Sequence, residues 1–120
     1  MKYDIFDWNF MQIYQGNTAD ISIALKDATT GEDITIAEGE EVLFTVKNRK
    51  GETVIQKHLT SANLDPDTPT HVLCQLDGSE TSLPTGDYLY DCVYSSNYGQ
   101  VTTFISSWMQ ILPAVGQYES

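Results

Sequence analysis

The side chains best suited to chemistry are two histidines and the acidic loop between them. His58 and His71 are the only histidines in the chain, and Asp65 and Asp67 stand between them. They fall at the end of one predicted strand and the start of the next, where a metal site is conceivable. In tetrahedral zinc sites the ligands normally occur in pairs a few residues apart in the sequence, which these histidines do not. Two surface histidines at the rim of a hairpin are therefore the simpler interpretation. The loop's oxygens would also suit calcium, but a rigid solvated turn explains them more simply. We expect no metal.

No other catalytic constellation is evident. The eight glycines are isolated, so no phosphate-binding loop is predicted, and no serine or threonine stands in a nucleophile elbow. Cys74 and Cys92 fall on predicted inward faces; they could pair in an oxidising compartment, but buried free thiols are the simpler expectation. The sequence therefore predicts a protein that is not an enzyme and needs no cofactor.

Charge and hydropathy narrow the range of partners. The chain has 120 residues and a net charge of -11, and residues 61–120 contain no lysine or arginine. Binding nucleic acid or anionic lipid needs clustered cations, so we expect neither partner. The acidity favours solubility over an acidic docking surface. The N-terminus resembles no signal peptide, and no run is long enough to span a bilayer.

Short segments with apolar residues at every second position, separated by turn residues, predict an all-β protein. Seven or eight such strands, with turns about every 8–12 residues, are typical of an antiparallel β-sandwich. The predicted strands are Trp8–Tyr14, Ile21–Lys26, Ile34–Ile36, Glu41–Lys47, Thr53–His58, His71–Leu76, Tyr88–Tyr94 and Val101–Leu112.

The alternation also predicts which side chains are buried, because successive residues of a strand point to opposite faces. The intervening polar or small residues, among them Ser22, Ala24 and Thr45, are expected on solvated faces. The predicted core consists of Ile21, Ile23, Leu25, Val42, Phe44, Val46, Val72, Cys74, Leu76, Tyr88, Tyr90, Cys92 and Tyr94.

Two segments depart from this pattern. Residues 101–112 carry bulky apolar side chains on both faces, which a bulge near Ser106 and Ser107 would explain, or a covering element on the second face. The N-terminal arm, residues 1–10, is rich in aromatic side chains, including Phe6 and Trp8. It either folds back as an edge strand of its own sandwich or docks on a neighbouring subunit.

The strongest local motif is Leu83-Pro84-Thr85-Gly86-Asp87-Tyr88, at a corner that leads into a strand of alternating aromatics. It matches a tyrosine corner, in which a phenol hydroxyl bonds to the backbone a few residues upstream. Tyr88 is the predicted corner residue. Its role would be structural, so its loss should reduce stability without affecting any activity.

The order of these motifs resembles small immunoglobulin-like domains encoded in bacteriophage and prophage structural regions, and is most similar to the N-terminal domain of phage baseplate upper proteins. The segments that carry the resemblance are 13–18, 21–26, 41–47, 51–55, 83–91, 101–104 and 111–113.

The resemblance implies an immunoglobulin-like β-sandwich with no catalytic residues, which acts as a virion-associated structural or assembly module. Its partners would be other virion or prophage proteins or further copies of the chain, in the virion or in the bacterial cytoplasm during assembly. In this interpretation the arm or the strand 101–112 joins or covers a neighbour's sheet, and the predicted anchors are Phe6, Trp8, Phe104 and Trp108.

The predicted domain organisation is an aromatic arm (1–10), a sandwich domain (11–114) and a C-terminal tail (115–120).

The alternative function is a carbohydrate-binding module, in which Tyr94, Tyr98, Trp108 and nearby acids would stack on and hydrogen-bond a sugar.

Overall fold

The computed structural model describes residues 2–5 as backbone, and residues 10–27 and 29–114 with their side chains. Within these ranges the chain forms eight strands and one turn of 3-10 helix, Ser61–Asn63. The strands are β1 (Lys2–Ile5), β2 (Met11–Tyr14), β3 (Ala19–Ala24), β4 (Glu41–Lys47), β5 (Thr53–Leu59), β6 (His71–Leu76), β7 (Gly86–Ser95) and β8 (Val101–Leu112). The predicted bounds of β4, β6 and β8 are confirmed. No helix among these residues is long and apolar enough to cross a membrane.

The strands form two sheets, with the orders β1-β3-β6 and β2-β8-β7-β4-β5. The chain is an immunoglobulin-like β-sandwich, which confirms the predicted fold class. Four of the pairings are antiparallel, but β1 pairs parallel to β3 and β2 parallel to β8. Alternating apolar residues report burial and not strand direction, so the pattern could not predict these two parallel pairings.

The core lies between the sheets and consists mainly of the predicted inward-facing residues. Phe44 and Tyr90 are completely or almost completely buried, with ring centroids 5.8 Å apart. Cys74 and Cys92 are buried and both thiols are free, as predicted. All the predicted core residues are buried except Tyr94, which is partly exposed and packs against the core.

Three residues predicted to face solvent are buried: Ser22, Ala24 and Thr45. Ser22 and Ala24 belong to β3, the central strand of the smaller sheet, and the hydroxyl of Ser22 is covered by the side chains of Asp65 and His71. Thr45 lies in β4, between two partner strands, and receives a hydrogen bond from the Gln56 side chain. Strand alternation identifies the face on which a side chain lies, but it does not reveal what covers that face.

The predicted short strand 34–36 is not formed. A single bridge joins Lys26 and Asp33, and Ile36 is buried as part of the core without belonging to a strand. An apolar side chain can be buried from an irregular loop, whereas a strand requires a ladder of main-chain partners.

Part of the N-terminal arm lies along the sandwich itself. Residues Lys2–Ile5, as β1, pair with β3 from Asp20 to Ile23. This part of the arm therefore folds back as an edge strand of its own sheet. The strand predicted from Trp8 onward is seen from Met11 to Tyr14, and Phe6 and Trp8 lie outside the described residues, so their role as anchors stays a prediction.

Candidate functional site

A cluster of polar side chains lies against the outward side of β3. The Oγ atom of Ser22 lies 2.7 Å from Oδ2 of Asp65 and 2.9 Å from Nδ1 of His71. The Nε2 atom of His71 in turn lies 3.4 Å from Oδ2 of Asp33. Ser22 and Asp65 are almost completely buried. Serine, histidine and aspartate in series are the residue types of a hydrolytic triad, so the direction of each hydrogen bond matters.

The hydrogen bonds run in the wrong direction for a nucleophile. The hydroxyl of Ser22 donates its single proton to Oδ2 of Asp65. His71 must then donate from Nδ1 to Ser22, whereas a catalytic base would accept the serine proton. Ser22 is also inaccessible to any substrate, since its exposed fraction is 0%. The cluster is therefore an internal anchor that holds the loop of Asp65 over the sheet.

The backbone around Asp65 explains how this loop is held. The N–H of Asp65 donates to the carbonyl oxygen of His71 (3.0 Å), and Leu64 forms an isolated bridge with Val72. The side chain of Asp65 also accepts from the N–H of Asp67 at 2.9 Å. The expectation of a solvated acidic turn is therefore wrong at Asp65, whose carboxylate faces inward because buried hydrogen-bond donors meet it there.

The two histidines have different partners. Nδ1 of exposed His58 lies 2.6 Å from Oε1 of Glu41, whereas the partly buried His71 belongs to the polar cluster on β3. Among residues 10–27 and 29–114, no group of three or more histidine, cysteine, aspartate or glutamate side chains is arranged to hold a metal.

The outward face of the larger sheet has a different character. Trp108 on β8 pairs directly across from Leu89 on β7, and their exposed fractions are 49% and 46%. Tyr14 on β2, 48% exposed, pairs with Leu112 on the same face. We call these four residues, Tyr14, Leu89, Trp108 and Leu112, the open face. Half-exposed aromatic and aliphatic side chains on one sheet face are typical of a protein-binding surface.

Polar groups lie beside and within the open face, because Gln110 on β8 stands between Trp108 and Leu112 and pairs with Gln12 on β2. Arg49 Nη2 forms an ion pair with Oδ2 of Asp87 at 2.9 Å, and Gln12 donates from Nε2 to Oε1 of Gln110 at 3.0 Å. Burial raises the pKa of Asp91, an effect that nearby Lys47 partly offsets. The open face therefore mixes apolar and polar side chains, as the interfaces of non-obligate complexes usually do.

Phe104, the second predicted anchor on β8, marks an irregularity in the strand. The register shifts there, since Cys92 pairs with Ile105 and the next residue, Val93, pairs with Thr103. The predicted bulge is therefore present at Phe104, two residues before its expected place at Ser106 and Ser107. Phe104 is partly buried against the core, while Trp108 points outward.

Two contacts stabilise the ends of this larger sheet. The Tyr88 hydroxyl donates to the carbonyl oxygen of Pro84 at 2.6 Å, which is the upstream bond of a tyrosine corner. At the other end, buried Glu40 accepts hydrogen bonds from the N–H of Ala37 (2.9 Å), the Tyr94 hydroxyl (2.7 Å) and the N–H of Asn97 (3.2 Å). These bonds, the one from Ala37 foremost, lower the pKa of Glu40.

The aromatic residues of the sugar-binding alternative do not share a surface. Trp108 is opposite Leu89 on the outward face, whereas Tyr94 lies on the inward parity of β7, hydrogen-bonded to Glu40. Leu89 and Tyr94 are five residues apart, about 17 Å along a strand. Tyr98 is 95% exposed in the turn between β7 and β8. The three rings therefore form no common stacking platform.

Sequence reasoning did not detect the polar cluster. Ser22, Asp33, Asp65 and His71 are spread over 50 residues, and strand alternation assigned Ser22 to solvent. The one sequence signal for its burial was that Ser22 stands between two apolar residues, Ile21 and Ile23. Only the fold brings Asp65 and His71 to Ser22, and Asp33 to His71. Leu89 was also missed, because its relevance comes from its pairing with Trp108.

The fold and these surfaces define an immunoglobulin-like sandwich domain in which one outward face is covered around Ser22 and the other is open around Trp108. The chain matches no family model and no curated protein sequence. Among solved structures it is similar to the fibronectin(III)-like modules of Clostridium thermocellum CbhA, with 12% identity, a TM-score of 0.47, and coverage of 90% of this chain and 92% of that one. It is also similar to CopC from Methylosinus trichosporium OB3b, with 16% identity, a TM-score of 0.43, and coverage of 81% and 99%.

Proposed function

We propose that this chain is a non-catalytic protein–protein interaction module and that, as the resemblance of its motifs implies, it is a structural or assembly component associated with a phage or prophage virion. The observation that carries the interaction module is the pair of half-exposed side chains Leu89 and Trp108 on neighbouring strands. The virion association rests on the sequence resemblance alone.

The geometry of the open face supports binding to a preformed protein surface. Its residues lie on paired strands of a five-stranded sheet, so little conformational entropy is lost when a partner binds. Tryptophan is enriched among residues that dominate binding energy, and here Trp108 lies opposite the apolar side chain of Leu89. The partner is therefore expected to present an apolar depression that accepts the indole.

The test uses proteins encoded by the genes adjacent to this one, co-produced with the tagged chain. Trp108→Ala should reduce co-purification of a specific partner by about tenfold or more, since losing a central tryptophan typically costs about 2 kcal/mol or more of binding free energy. Tyr98→Ala is the matched control, because it removes another exposed aromatic ring from the turn between β7 and β8. Equal recovery by parent and Trp108→Ala would contradict the role of the open face.

The virion association is tested separately. Particles purified after prophage induction of the source bacterium should contain the chain in a fixed ratio to the tail proteins. Its absence from such particles would refute the virion role and leave the interaction module to be judged by the Trp108→Ala result.

A further inference from the structure

A cleft of about 620 Å³ opens at one end of the larger sheet, between the turn that joins β4 to β5 and the tyrosine corner at the start of β7. Residues 48–50 and 52 form one wall of this cleft, residues 84–88 form the other, and Val54 and Gln110 complete the lining. We call it the corner cleft. Its volume lies within the range of about 300–1,000 Å³ that is usual for small-ligand sites.

The walls of the corner cleft are accessible from solution. The side chain of Arg49 is 75% exposed, and Lys50, Glu52 and residues 84–86 are exposed as well. A dissolved ligand can therefore reach the polar groups of both walls.

The first wall is a turn that Asn48 holds in place. Its Oδ1 atom accepts hydrogen bonds from the N–H groups of Lys50 and Glu52, each at 3.0 Å, and its Nδ2 atom donates to Oε1 of Glu52 at 3.2 Å. The N–H of Gly51 also donates to the carbonyl oxygen of Asn48 at 3.0 Å. The carboxylate of Glu52 is thus positioned before any ligand binds, which reduces the entropy lost on binding.

The second wall is held by the tyrosine corner, and an ion pair joins it to the first. The Tyr88 hydroxyl donates to the carbonyl oxygen of Pro84, and Nη2 of Arg49 lies 2.9 Å from Oδ2 of Asp87. A guanidinium has further N–H groups, and a carboxylate has a second oxygen. Arg49 and Asp87 therefore keep hydrogen-bonding capacity for a ligand while each holds the other in position.

Positive and negative groups balance in the corner cleft. Its lining contains two cations, Arg49 and Lys50, and two carboxylates, Glu52 and Asp87, whereas the whole chain has a net charge of -11. A charged ligand would be attracted by one pair and repelled by the other. A hydroxyl group donates and accepts, so it can bond to a carboxylate and to a guanidinium at the same time. The polar groups therefore suit a neutral ligand that carries several hydroxyls.

The rest of the lining is mainly apolar. Val54 is partly buried against the core, Pro84 is exposed, and the ring of Tyr88 is buried. A sugar ring has C–H groups on its faces and hydroxyls around its edge. Its face can pack on apolar side chains while the polar walls bind its edge, whereas a linear polyol has no such face.

We infer that the corner cleft binds a neutral sugar ring, which places hydroxyls between Arg49 and Asp87 and packs one face on Val54 and Pro84. This site goes beyond the proposed protein-binding function, because it uses no residue of the open face. It also shares no residue with the aromatic set of the sugar-binding alternative. Because its walls are open to solvent, an affinity of about 1 mM is expected.

The first measurement is an amide NMR titration of the full chain with glucose, galactose, mannose and N-acetylglucosamine, each up to about 20 mM, well above the expected dissociation constant. At least one sugar should shift the resonances of residues 48–52 and 84–88 along a saturating curve. Sorbitol, a linear polyol, should bind more weakly. No shift with any of the four sugars, shifts confined to other residues, or equal affinity for sorbitol would overturn the inference.

Arg49→Ala tests the polar walls. It should weaken sugar binding by about tenfold or more, as expected when hydrogen bonds to a charged group are lost. Lys26→Ala is the matched control, because it removes the cation of another surface ion pair, with Asp33, outside the cleft. Surface ion pairs contribute little to stability, so both variants should fold. Equal affinities of the two variants for the sugar would contradict the site.

Asp87→Asn is a second test that preserves the shape of the side chain. It removes the charge of the acceptor and should also weaken sugar binding, because charge-assisted hydrogen bonds are the stronger ones. Unchanged affinity would refute the placement of hydroxyls between Arg49 and Asp87.

Charged analogues then test the charge balance of the cleft. The uronic acid and the amino sugar that correspond to the best-binding sugar should bind no more tightly than the neutral sugar in about 0.5 M salt, where long-range attraction is screened. Tighter binding of either would show recognition of charge and would overturn the inference. Absence of sugar binding with retained Trp108-dependent partner binding would refute the corner cleft alone.

Discussion

The outward faces of the two sheets differ in how far other segments of the chain cover them. On the smaller sheet, the loop that contains Asp65 folds over β3 and buries Ser22 in a polar cluster. On the larger sheet, no described segment covers Leu89 and Trp108, which remain half exposed. A face that the chain closes with its own hydrogen bonds contributes to stability, whereas a face left open costs little to change and is available for binding. Substitutions on each face should therefore have opposite consequences.

The largest loss of stability is expected from a substitution that releases the loop of Asp65 from the smaller sheet. Asp65→Ala should lower the free energy of unfolding by about 2–3 kcal/mol, because it leaves the buried Ser22 hydroxyl without its acceptor and releases the loop. Urea unfolding followed by circular dichroism measures the loss.

A double-mutant cycle is the control for this prediction. In a Ser22→Ala background, Asp65→Ala should cost less by about 1 kcal/mol, since the hydrogen bond between the two side chains is already absent. Strictly additive losses would mean that Asp65 stabilises the loop without Ser22, and that the polar cluster is not what closes this face.

The second prediction compares the effects of substituting two neighbouring residues of β7, Tyr88 and Leu89, in the larger sheet. Tyr88 points inward and donates to Pro84, while Leu89 points outward beside Trp108. Tyr88→Phe should cost about 1 kcal/mol of stability, the usual contribution of one buried hydrogen bond, and leave partner binding unchanged.

Leu89→Ser is the counterpart within the same strand. It should change stability by less than about 0.5 kcal/mol, as is usual for a surface position, and reduce partner binding. Thermal unfolding and the co-purification assay distinguish the two variants. A larger loss of stability in Leu89→Ser than in Tyr88→Phe would show that the open face is part of the protein's own packing.

These contrasts also explain what could be predicted from the sequence. The inward residues of β4, β6 and β7 followed from alternation, because burial on one face leaves a period of two. The upstream hydrogen bond of Tyr88 was expected because the tyrosine corner is local. The partners of Ser22 and Trp108 come from distant segments, so no local pattern could reveal that the first would be covered and the second left open.

The smallest predicted effect concerns Glu40, which anchors the end of the open sheet as Asp65 anchors the covered one. Because hydrogen bonds lower its pKa in the folded protein, Glu40 contributes stability above its unfolded pKa of about 4.5, and this contribution is lost as the pH falls through the folded value. The parent should therefore lose more stability between about pH 5 and pH 3 than Glu40→Gln does.

The difference between the two pH profiles isolates this carboxylate, because Asp27, Asp33 and Asp77, whose pKa values are also lowered, are present in both proteins. Glu38→Gln, at an exposed position two residues away, should follow the parent profile. Parallel profiles for parent and Glu40→Gln would mean that the turn before β8 is held by Asn97 and the backbone without the charge. The larger sheet would then depend less on Glu40 than the smaller sheet depends on Asp65.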